Sequence, residues 1–261
     1  MIDRLEFIRE TLQEASQTIL DYYQSDLSIE HKADDSPVTI ADKETEAQIR
    51  RAIAEHFPDD AIYGEEGGMS EGSDGVWITD PIDGTKNFIA QNPLFGSLLG
   101  YQSQGRMVAG GAALPALGQI WTAKTGQPTR CNAQEVRVSG QKDHKKAHLA
   151  ATAPEYFNAP QYALFQQVSE NVAFQFFGGD CTLFTSLASN NGVDIVMEAG
   201  MKPYDYLPLV PIVEGAGGIM TDWQGKALGL DSSGEVLACA SHELHQWALD
   251  LIQKKRKTLS E

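Results

Sequence analysis

Residues 77–88, WITDPIDGTKNF, place two aspartates directly after a short apolar run. The run from Val76 to Thr79 predicts a strand, because it is rich in β-branched and aromatic residues. Asp80-Pro81-Ile82-Asp83-Gly84-Thr85 then predicts a tight loop, since Asp, Pro and Gly are the residues that turns favour. The stretch therefore predicts a loop at the end of a strand that presents two carboxylates.

The sequence on either side predicts an N-terminal half made of helices and antiparallel strands. Apolar residues recur every three or four positions and predict one helix ending near Tyr23 and another from about Ile40 to Phe57. A polar loop is predicted between them, over residues 24–37. Downstream, three strand patterns separated by turns predict an antiparallel meander. These strands cover residues 95–101, 107–114 and 119–123.

Beyond residue 140 the pattern changes to strands that alternate with helices, which favours an α/β unit. The predicted strands are 148–152, 172–176, 194–198, 218–221 and 236–240, and the predicted helices lie near 160–168, 182–189, 205–214 and 242–254. The sequence thus predicts an N-terminal α+β half, residues 1–140, and a C-terminal α/β half, residues 141–261. The overall class is α/β (α+β).

Composition excludes several classes of function. The chain has 261 residues, with 20 Lys plus Arg against 36 Asp plus Glu, so its formal net charge is 20 − 36 = −16. Such a surface repels nucleic-acid phosphates and anionic lipid, so neither is a predicted partner. A small anionic substrate is repelled as well, unless cations are recruited locally.

The cysteines and the chain start indicate a reduced compartment. The three cysteines are widely spaced and form neither a CxxC pair nor an even set, so neither a zinc site nor a disulfide framework is predicted. The sequence begins MIDRLEFIRE, which is charged and unlike a signal peptide. No run approaches 18 apolar residues. A cytoplasmic protein is the prediction.

Three acidic segments carry the candidate chemistry. They are Gly64-Glu65-Glu66-Gly67-Gly68, the segment 80–85, and Lys202-Pro203-Tyr204-Asp205. Carboxylates without nearby Cys or His make oxygen sites of the kind that Mg²⁺ prefers. Each segment alone also has a structural explanation: a turn, a solvated charge pair, or a helix N-cap. The string Thr39-Ile40-Ala41-Asp42 likewise fits a capping box.

Taken together, these segments resemble the inositol monophosphatase family of metal-dependent phosphomonoesterases. The matching strings are GEEGG at 64–68, WITDPIDGTKNF at 77–88 and PYDYLPLVPIVEGAGG at 203–218, and VTIADKETE at 38–46 extends the resemblance to nearly the whole chain. The resemblance implies a layered αβαβα sandwich with the active site between its halves. It also implies a homodimer.

The resemblance implies two metal sites that share a ligand. Glu65, Asp80 and the carbonyl of Ile82 hold one Mg²⁺, while Asp80, Asp83 and Asp205 hold a second. Glu65 also contacts a third cation through waters. Mn²⁺ is the alternative metal.

The resemblance further implies how the phosphate and the attacking water are held. Backbone N–H groups of Gly84 and Thr85 bind the phosphate, and Asp42 orients the network around Thr85 and the water. Glu65, Asp42 and Thr85 are therefore the implied catalytic residues. A capping role for Asp42 is an equal alternative at this stage. Water then attacks phosphorus in line, since the metals cancel the charge repulsion and lower the pKa of a bound water.

The substrate is indicated by the C-terminal half. FGGDC at 177–181 and VPIVEGAGG at 210–218 are similar to the histidinol-phosphate phosphatase branch of the family. Asp180 and Glu198 would form an anionic pocket for a substrate with an ammonium and an imidazole, although Asp180 also fits a helix N-cap. The predicted substrate is histidinol phosphate, with inositol 1-phosphate as the alternative.

Other functions fit less well. A bisphosphate nucleotidase or a sugar bisphosphatase needs a basic pocket, and residues 175–205 contain one base, Lys202. A non-catalytic binding member would have a damaged ligand set, whereas every ligand is present here. A phosphatase of the haloacid-dehalogenase type has DxDxT spacing, which the DxxDGT of residues 80–85 does not match.

Overall fold

Three layers of helices enclose two β-sheets in the computed structural model, which describes residues 3–23, 29–31, 37–190 and 192–260. Eight strands form the first sheet and five form the second, and a two-stranded ribbon belongs to neither.

The strands of the ribbon and the first sheet are β1 (Ile29–His31), β2 (Pro37–Thr39), β3 (Ala61–Gly64), β4 (Gly68–Met69), β5 (Val76–Asp83), β6 (Gly96–Ser103), β7 (Arg106–Leu114), β8 (Gln119–Lys124), β9 (Arg130–Cys131) and β10 (Gln134–Glu135). Those of the second sheet are β11 (His148–Ala151), β12 (Phe174–Phe177), β13 (Ile195–Glu198), β14 (Ile219–Thr221) and β15 (Val236–Cys239). The ribbon is β1–β2, the first sheet has the order β10-β9-β8-β7-β6-β5-β3-β4, and the second has the order β12-β11-β13-β15-β14. The predicted antiparallel meander is β6-β7-β8 and is confirmed.

The α-helices among the described residues are α1 (Arg4–Tyr23), α2 (Ile40–His56), α3 (Thr85–Ile89), α4 (Ala159–Ser169), α5 (Cys181–Ala188), α6 (Pro203–Tyr206), α7 (Val210–Gly215) and α8 (His242–Ser260). Short 3₁₀ turns cover Pro115–Leu117, His144–Lys146, Pro154–Tyr156 and Leu207–Leu209. The helix predicted near 205–214 is therefore three short pieces, α6, a 3₁₀ turn and α7.

Apolar packing defines the layers. The outer pair α1 and α2 packs on the first sheet through a core that includes Ile8, Ile53 and Trp77. Helices α5 and α7 lie between the two sheets, and their core joins residues from both, such as Leu98 and Val196. Helices α4 and α8 cover the far face of the second sheet. The predicted αβαβα sandwich is confirmed, while the division at residue 140 stays a prediction.

Two local predictions are wrong. The loop predicted over residues 24–37 contains a strand, since Ile29–His31 pairs antiparallel with Pro37–Thr39; residues 24–28 and 32–36 lie outside the described residues. The segment at 80–85 is not wholly a loop, because β5 continues through Asp83. Within the part of the chain that the structure describes, no helix is long and apolar enough to cross a membrane.

His245 on α8 gives the fold a predictable pH dependence. Its side chain is buried, with Nε2 2.7 Å from Thr221 Oγ1, and burial lowers its pKa to about 4. The histidine of the unfolded chain therefore binds a proton near pH 6.5, while the buried histidine of the folded protein stays neutral until about pH 4. The free energy of unfolding consequently falls as the pH drops from about 6.5 to about 4. We expect a loss of about 2 kcal/mol at pH 5 from this residue.

Thermal unfolding of the wild type and of His245→Gln between pH 7.5 and pH 5 tests this dependence. The glutamine does not titrate, so the melting temperature of the wild type should fall further than that of the variant as the pH falls, which changes the gap between the two. A gap that stays constant over this range would contradict the assignment.

Candidate active site

A β-bulge in β5 brings Asp80 and Asp83 to one side of the strand. Side chains three residues apart on a regular strand point to opposite faces. Here Asp80 pairs with Leu98 and Asp83 with Gly96, so three steps along β5 match two along β6. Pro81 lies inside the bulge, where a residue without an N–H group is tolerated. Both aspartates consequently line the same cavity.

Glu65 reaches the same place from the neighbouring strand. Strand β3 runs parallel to β5, with Gly64 opposite Thr79, and the next backbone N–H, that of Glu65, donates to Thr79 O at 3.3 Å. Glu65 therefore lies just beyond the end of β3, opposite Asp80 on β5. Both residues line the cavity.

Backbone hydrogen bonds hold the two remaining carboxylates of this cluster. Asp205 is the third residue of the short helix α6, and its Oδ2 accepts from the backbone N–H of Lys202 at 2.7 Å. Asp83 Oδ2 accepts from the backbone N–H of Cys181, the first residue of α5, at 2.6 Å. Asp205 is therefore fixed within its own helix start, while Asp83 is fixed by an element 98 positions away in the chain.

The cluster has the donor set of a metal site. One carboxylate oxygen from each of Asp80, Asp83 and Asp205 lies within 4.8 Å of the others. Burial and the neighbouring carboxylates raise the pKa values of Asp80 and Asp83 well above their ordinary range, and burial raises that of Asp205 to about 7. A divalent cation relieves this cost, because it supplies the missing counter-charge. The residues present therefore fit the metal that the sequence predicts.

Asp42 closes the capping box of α2 and also faces Thr85, so the two alternatives that the sequence left open do not exclude each other. Its Oδ2 accepts from the backbone N–H and the hydroxyl of Thr39, at 2.7 and 2.6 Å, which closes the capping box of α2. Its Oδ1 lies 3.3 Å from Thr85 Oγ1, which also lies 3.1 Å from Ile82 O. One carboxylate thus caps a helix with one oxygen and faces Thr85 with the other.

A cavity of about 190 Å³ contains nearly all of the predicted site. Asp42 stands behind the cavity wall and contacts it through Thr85. The predicted residues that line the cavity are Glu65, Asp80, Ile82, Asp83, Gly84, Thr85, Asp180, Glu198 and Asp205. Their roles stay predictions, but the fold brings them together from both halves of the chain.

Asp180 makes no helix cap with its side chain. It stands at the N-cap position of α5, but no cap hydrogen bond forms, so that alternative is wrong. Its Oδ2 instead accepts from Asn87 Nδ2 at 2.7 Å, and its backbone adopts φ 43°, which is uncommon for a non-glycine residue. Burial raises the pKa of Asp180. Its carboxylate is directed into the cavity rather than along the helix.

Glu198, at the end of β13, is 2% exposed and lines the same cavity. Its Oε1 accepts from both the backbone N–H and the hydroxyl of Thr152, at 2.6 and 2.8 Å. Burial raises its pKa to about 8. A cation bound beside Glu198 would favour its charged form.

Sequence reasoning missed several residues of the site. Tyr156 lines the cavity, and Lys86 Nζ lies 5.0 Å from the centre of its ring. Asn87 orients Asp180, and Thr152 orients Glu198. Lys86 and Asn87 belong to the string WITDPIDGTKNF, so the sequence alone places them next to the predicted phosphate-binding residues. Tyr156 and Thr152 have no motif around them, and only the folded chain brings them to the cavity.

The chain has clear relatives among known proteins. The model of the inositol monophosphatase family matches residues 3–257. The bifunctional phosphatase IMPL2 of Arabidopsis thaliana is 36% identical over 97% of this chain and 76% of its own length. A histidinol-phosphatase of Chlorobaculum parvum is 33% identical over 91% of this chain and 93% of its own.

A solved structure agrees with this result. The inositol monophosphatase of Zymomonas mobilis superimposes with a TM-score of 0.88 at 34% identity, covering 96% of this chain and 98% of its own. The fold, the acidic cavity and these relatives define a phosphatase that depends on metal ions. The chain belongs to the inositol monophosphatase family.

Thr85 offers a direct check of the network around the cavity. We expect Thr85→Val to lower kcat about tenfold to a hundredfold, since it removes the hydroxyl that faces Asp42 and keeps the shape of the side chain. Thr85→Ser keeps the hydroxyl and should stay within a few-fold of the wild type. Steady-state phosphate release at saturating Mg²⁺ measures both variants. Equal activity of the serine and valine variants would show that the hydroxyl plays no part in turnover.

Proposed function

We propose that this protein is a Mg²⁺-dependent phosphomonoesterase whose substrate is a small monoester with a cationic organic part, histidinol phosphate. One observation carries the proposal: the cavity has more carboxylates than the cluster that fits metal. Asp80, Asp83 and Asp205 form that cluster, and Asp180 and Glu198 line the same cavity.

The carboxylate cluster suits the phosphate end of the substrate. Two or three Mg²⁺ ions, once bound, supply the positive charge that lets a phosphate dianion approach and lower the pKa of the attacking water. Gly84 and Thr85 present backbone N–H groups to the phosphate. Asp42 holds the Thr85 hydroxyl, and Glu65 and Thr85 orient the water for in-line attack on phosphorus.

The two further carboxylates, Asp180 and Glu198, suit a cationic group. An ammonium between Asp180 and Glu198 gains charge-assisted hydrogen bonds and compensates the burial of both carboxylates. An inositol ring offers only hydroxyls to them. Lys86 is the one basic side chain among the described residues that line the cavity, so a second phosphate would meet little positive charge. This distribution favours a monoester over a bisphosphate.

A panel of phosphate esters tests the proposal. We expect purified protein with Mg²⁺ to release phosphate from histidinol phosphate with a kcat/KM well above that for inositol 1-phosphate, fructose 1,6-bisphosphate or adenosine 3′,5′-bisphosphate. Preference for inositol 1-phosphate would overturn the substrate assignment and leave the metal chemistry intact. Turnover that does not depend on a divalent metal would overturn both.

Asp180→Asn identifies the group that selects the substrate. Asparagine can still accept the hydrogen bond from Asn87, so only the charge is lost. A charge-assisted hydrogen bond contributes about 1.5–3 kcal/mol, so kcat/KM for histidinol phosphate should fall roughly tenfold to a hundredfold. Turnover of inositol 1-phosphate should barely change. Equal losses on both esters would contradict a role of Asp180 in selection.

A further inference from the structure

A buried carboxylate on α2 holds the loop that carries Glu65. Glu46 is 2% exposed and accepts three hydrogen bonds of 2.7 Å, from the backbone N–H groups of Glu66 and Gly67 and from Arg50 Nε. Arg50 extends the contact, because its Nη2 donates to Gly68 O at 2.6 Å. The pair Glu46–Arg50 thus binds the backbone of three consecutive residues that follow Glu65.

Two glycines of this loop lie against the same pair. A Cβ atom added to Gly64 would lie 2.5 Å from Glu46 Oε1, and one added to Gly67 would lie 2.8 Å from the guanidinium of Arg50. A side chain at either position would have to displace the Glu46 carboxylate or the Arg50 guanidinium. Gly64 and Gly67, on the two sides of Glu65-Glu66, thus fit the close contact with α2.

We propose that Glu46 and Arg50 are positioning residues that hold Glu65 beside the carboxylate cluster of Asp80, Asp83 and Asp205. This inference rests on the proposed role of Glu65 as a ligand. Glu65 is fixed on one side by the end of β3 and on the other by the Glu46–Glu66 hydrogen bond, so its backbone has little freedom. Neither Glu46 nor Arg50 lines the cavity, so both act on the metal through the loop.

Preorganisation is what the pair contributes. Glu65 and Asp80 line the same cavity, and without a cation two neighbouring carboxylates repel each other. A loop that is free to move would let Glu65 turn away and would have to be reordered each time a cation binds. Loss of the pair should therefore weaken metal binding more than it slows the loaded enzyme. Loss of a group that supports a metal ligand in this way typically lowers the affinity for the metal about 10–100-fold.

Glu46→Gln and Arg50→Lys test the inference. The glutamine keeps the volume but places a donor where the carboxylate accepts from N–H groups, and lysine keeps the charge but cannot donate to both Glu46 and Gly68 in the fork geometry. We expect Glu46→Gln to raise the Mg²⁺ concentration for half-maximal activity about 10–100-fold, with kcat at saturating Mg²⁺ within a few-fold of the wild type. Arg50→Lys should also raise the Mg²⁺ concentration for half-maximal activity, but by a smaller factor.

A second readout keeps the inference independent of the substrate. The Mg²⁺ concentration that gives half of the rise in melting temperature should shift in the same way, even if no ester of the panel is hydrolysed. Glu55→Gln, on an exposed position of the same helix, should match the wild type in both measurements. Unchanged Mg²⁺ dependence in Glu46→Gln, or a fall in kcat that saturating Mg²⁺ does not restore, would overturn the positioning role. If Glu46→Gln does not fold, Arg50→Lys decides by the same criteria.

Discussion

Asp83→Asn and Asp205→Asn are each expected to lower kcat on the order of a thousandfold while making the metal-free protein more stable. Each substitution removes one negative charge from the carboxylate cluster and keeps the shape of the side chain. The backbone N–H groups of Cys181 and Lys202 still find an acceptor, since the asparagine carbonyl can replace Oδ2. Activity and stability should therefore change in opposite directions.

The gain in stability has an electrostatic origin. Burial and repulsion among the carboxylates raise the pKa values of Asp80 and Asp83, and burial raises that of Asp205 to about 7, so the folded state holds these groups at a cost at neutral pH. Removing one charge reduces that cost for the groups that remain. Natural active sites often trade stability for function in this way.

Phosphate release and thermal unfolding in EDTA measure the two effects. Asp222→Asn is a suitable control, because Asp222 is also buried and accepts backbone hydrogen bonds, from Gln224 and Lys226, but lies outside the cavity. It should keep wild-type activity and gain no stability. Near-normal turnover of Asp83→Asn or Asp205→Asn at ordinary Mg²⁺ concentrations would disprove the metal assignment.

Hydrophobic periodicity and turn residues predicted most helices and strands because they act locally, while the layered arrangement of these elements was implied by the resemblance to the family. Sequence reasoning missed the bulge at Asp80–Asp83, where Asp-Pro and Asp-Gly suggested a loop. Composition cannot distinguish a turn from a strand that carries one extra residue, because both favour Pro and Gly. The bulge becomes visible only when β6 pairs with the strand and fixes the register.

Local rules also could not decide between alternatives for single carboxylates. The capping box and the catalytic network were competing explanations for Asp42, and the structure shows that one oxygen closes the capping box while the other lies 3.3 Å from Thr85 Oγ1, so the two explanations do not exclude each other. For Asp180 the cap rule was wrong, because Asn87, 93 positions away in the chain, attracts the carboxylate from the helix end. The contact between Glu46 and the loop after Glu65 is likewise tertiary, and a motif within one segment cannot reveal it.

Mg²⁺ is expected to raise the melting temperature by roughly 10–20 °C at pH 8. A ligand at a hundred times its Kd stabilises the folded state by about 2.7 kcal/mol, so two ions contribute about 5 kcal/mol. For a chain near this size, each kcal/mol shifts the melting temperature by roughly 2–4 °C. The acidic cluster provides the binding energy, because each cation replaces repulsion between carboxylates with attraction.

The size of this shift should depend on pH with a definite sign. The folded-state pKa values of Asp80, Asp83 and Asp205 are raised, so their contribution to the stability of the metal-free protein is present below about pH 4 and is lost as the pH rises through the folded pKa, about 7 for Asp205. Protons also compete with metal for the same oxygens at low pH. Both effects make the Mg²⁺-induced shift larger at pH 8 than at pH 5.

Screening by salt is the effect that must be separated from binding, because a chain with a net charge of −16 is also stabilised by any electrolyte. Melting curves in EDTA, in MgCl₂ and in NaCl of equal ionic strength make the distinction at each pH. Specific binding predicts a large shift with MgCl₂ alone, which grows with pH and is much reduced in Asp83→Asn. A shift of the same size in NaCl, or in Asp83→Asn, would mean that the ions act on the surface charge and that the carboxylate cluster is not a preformed metal site.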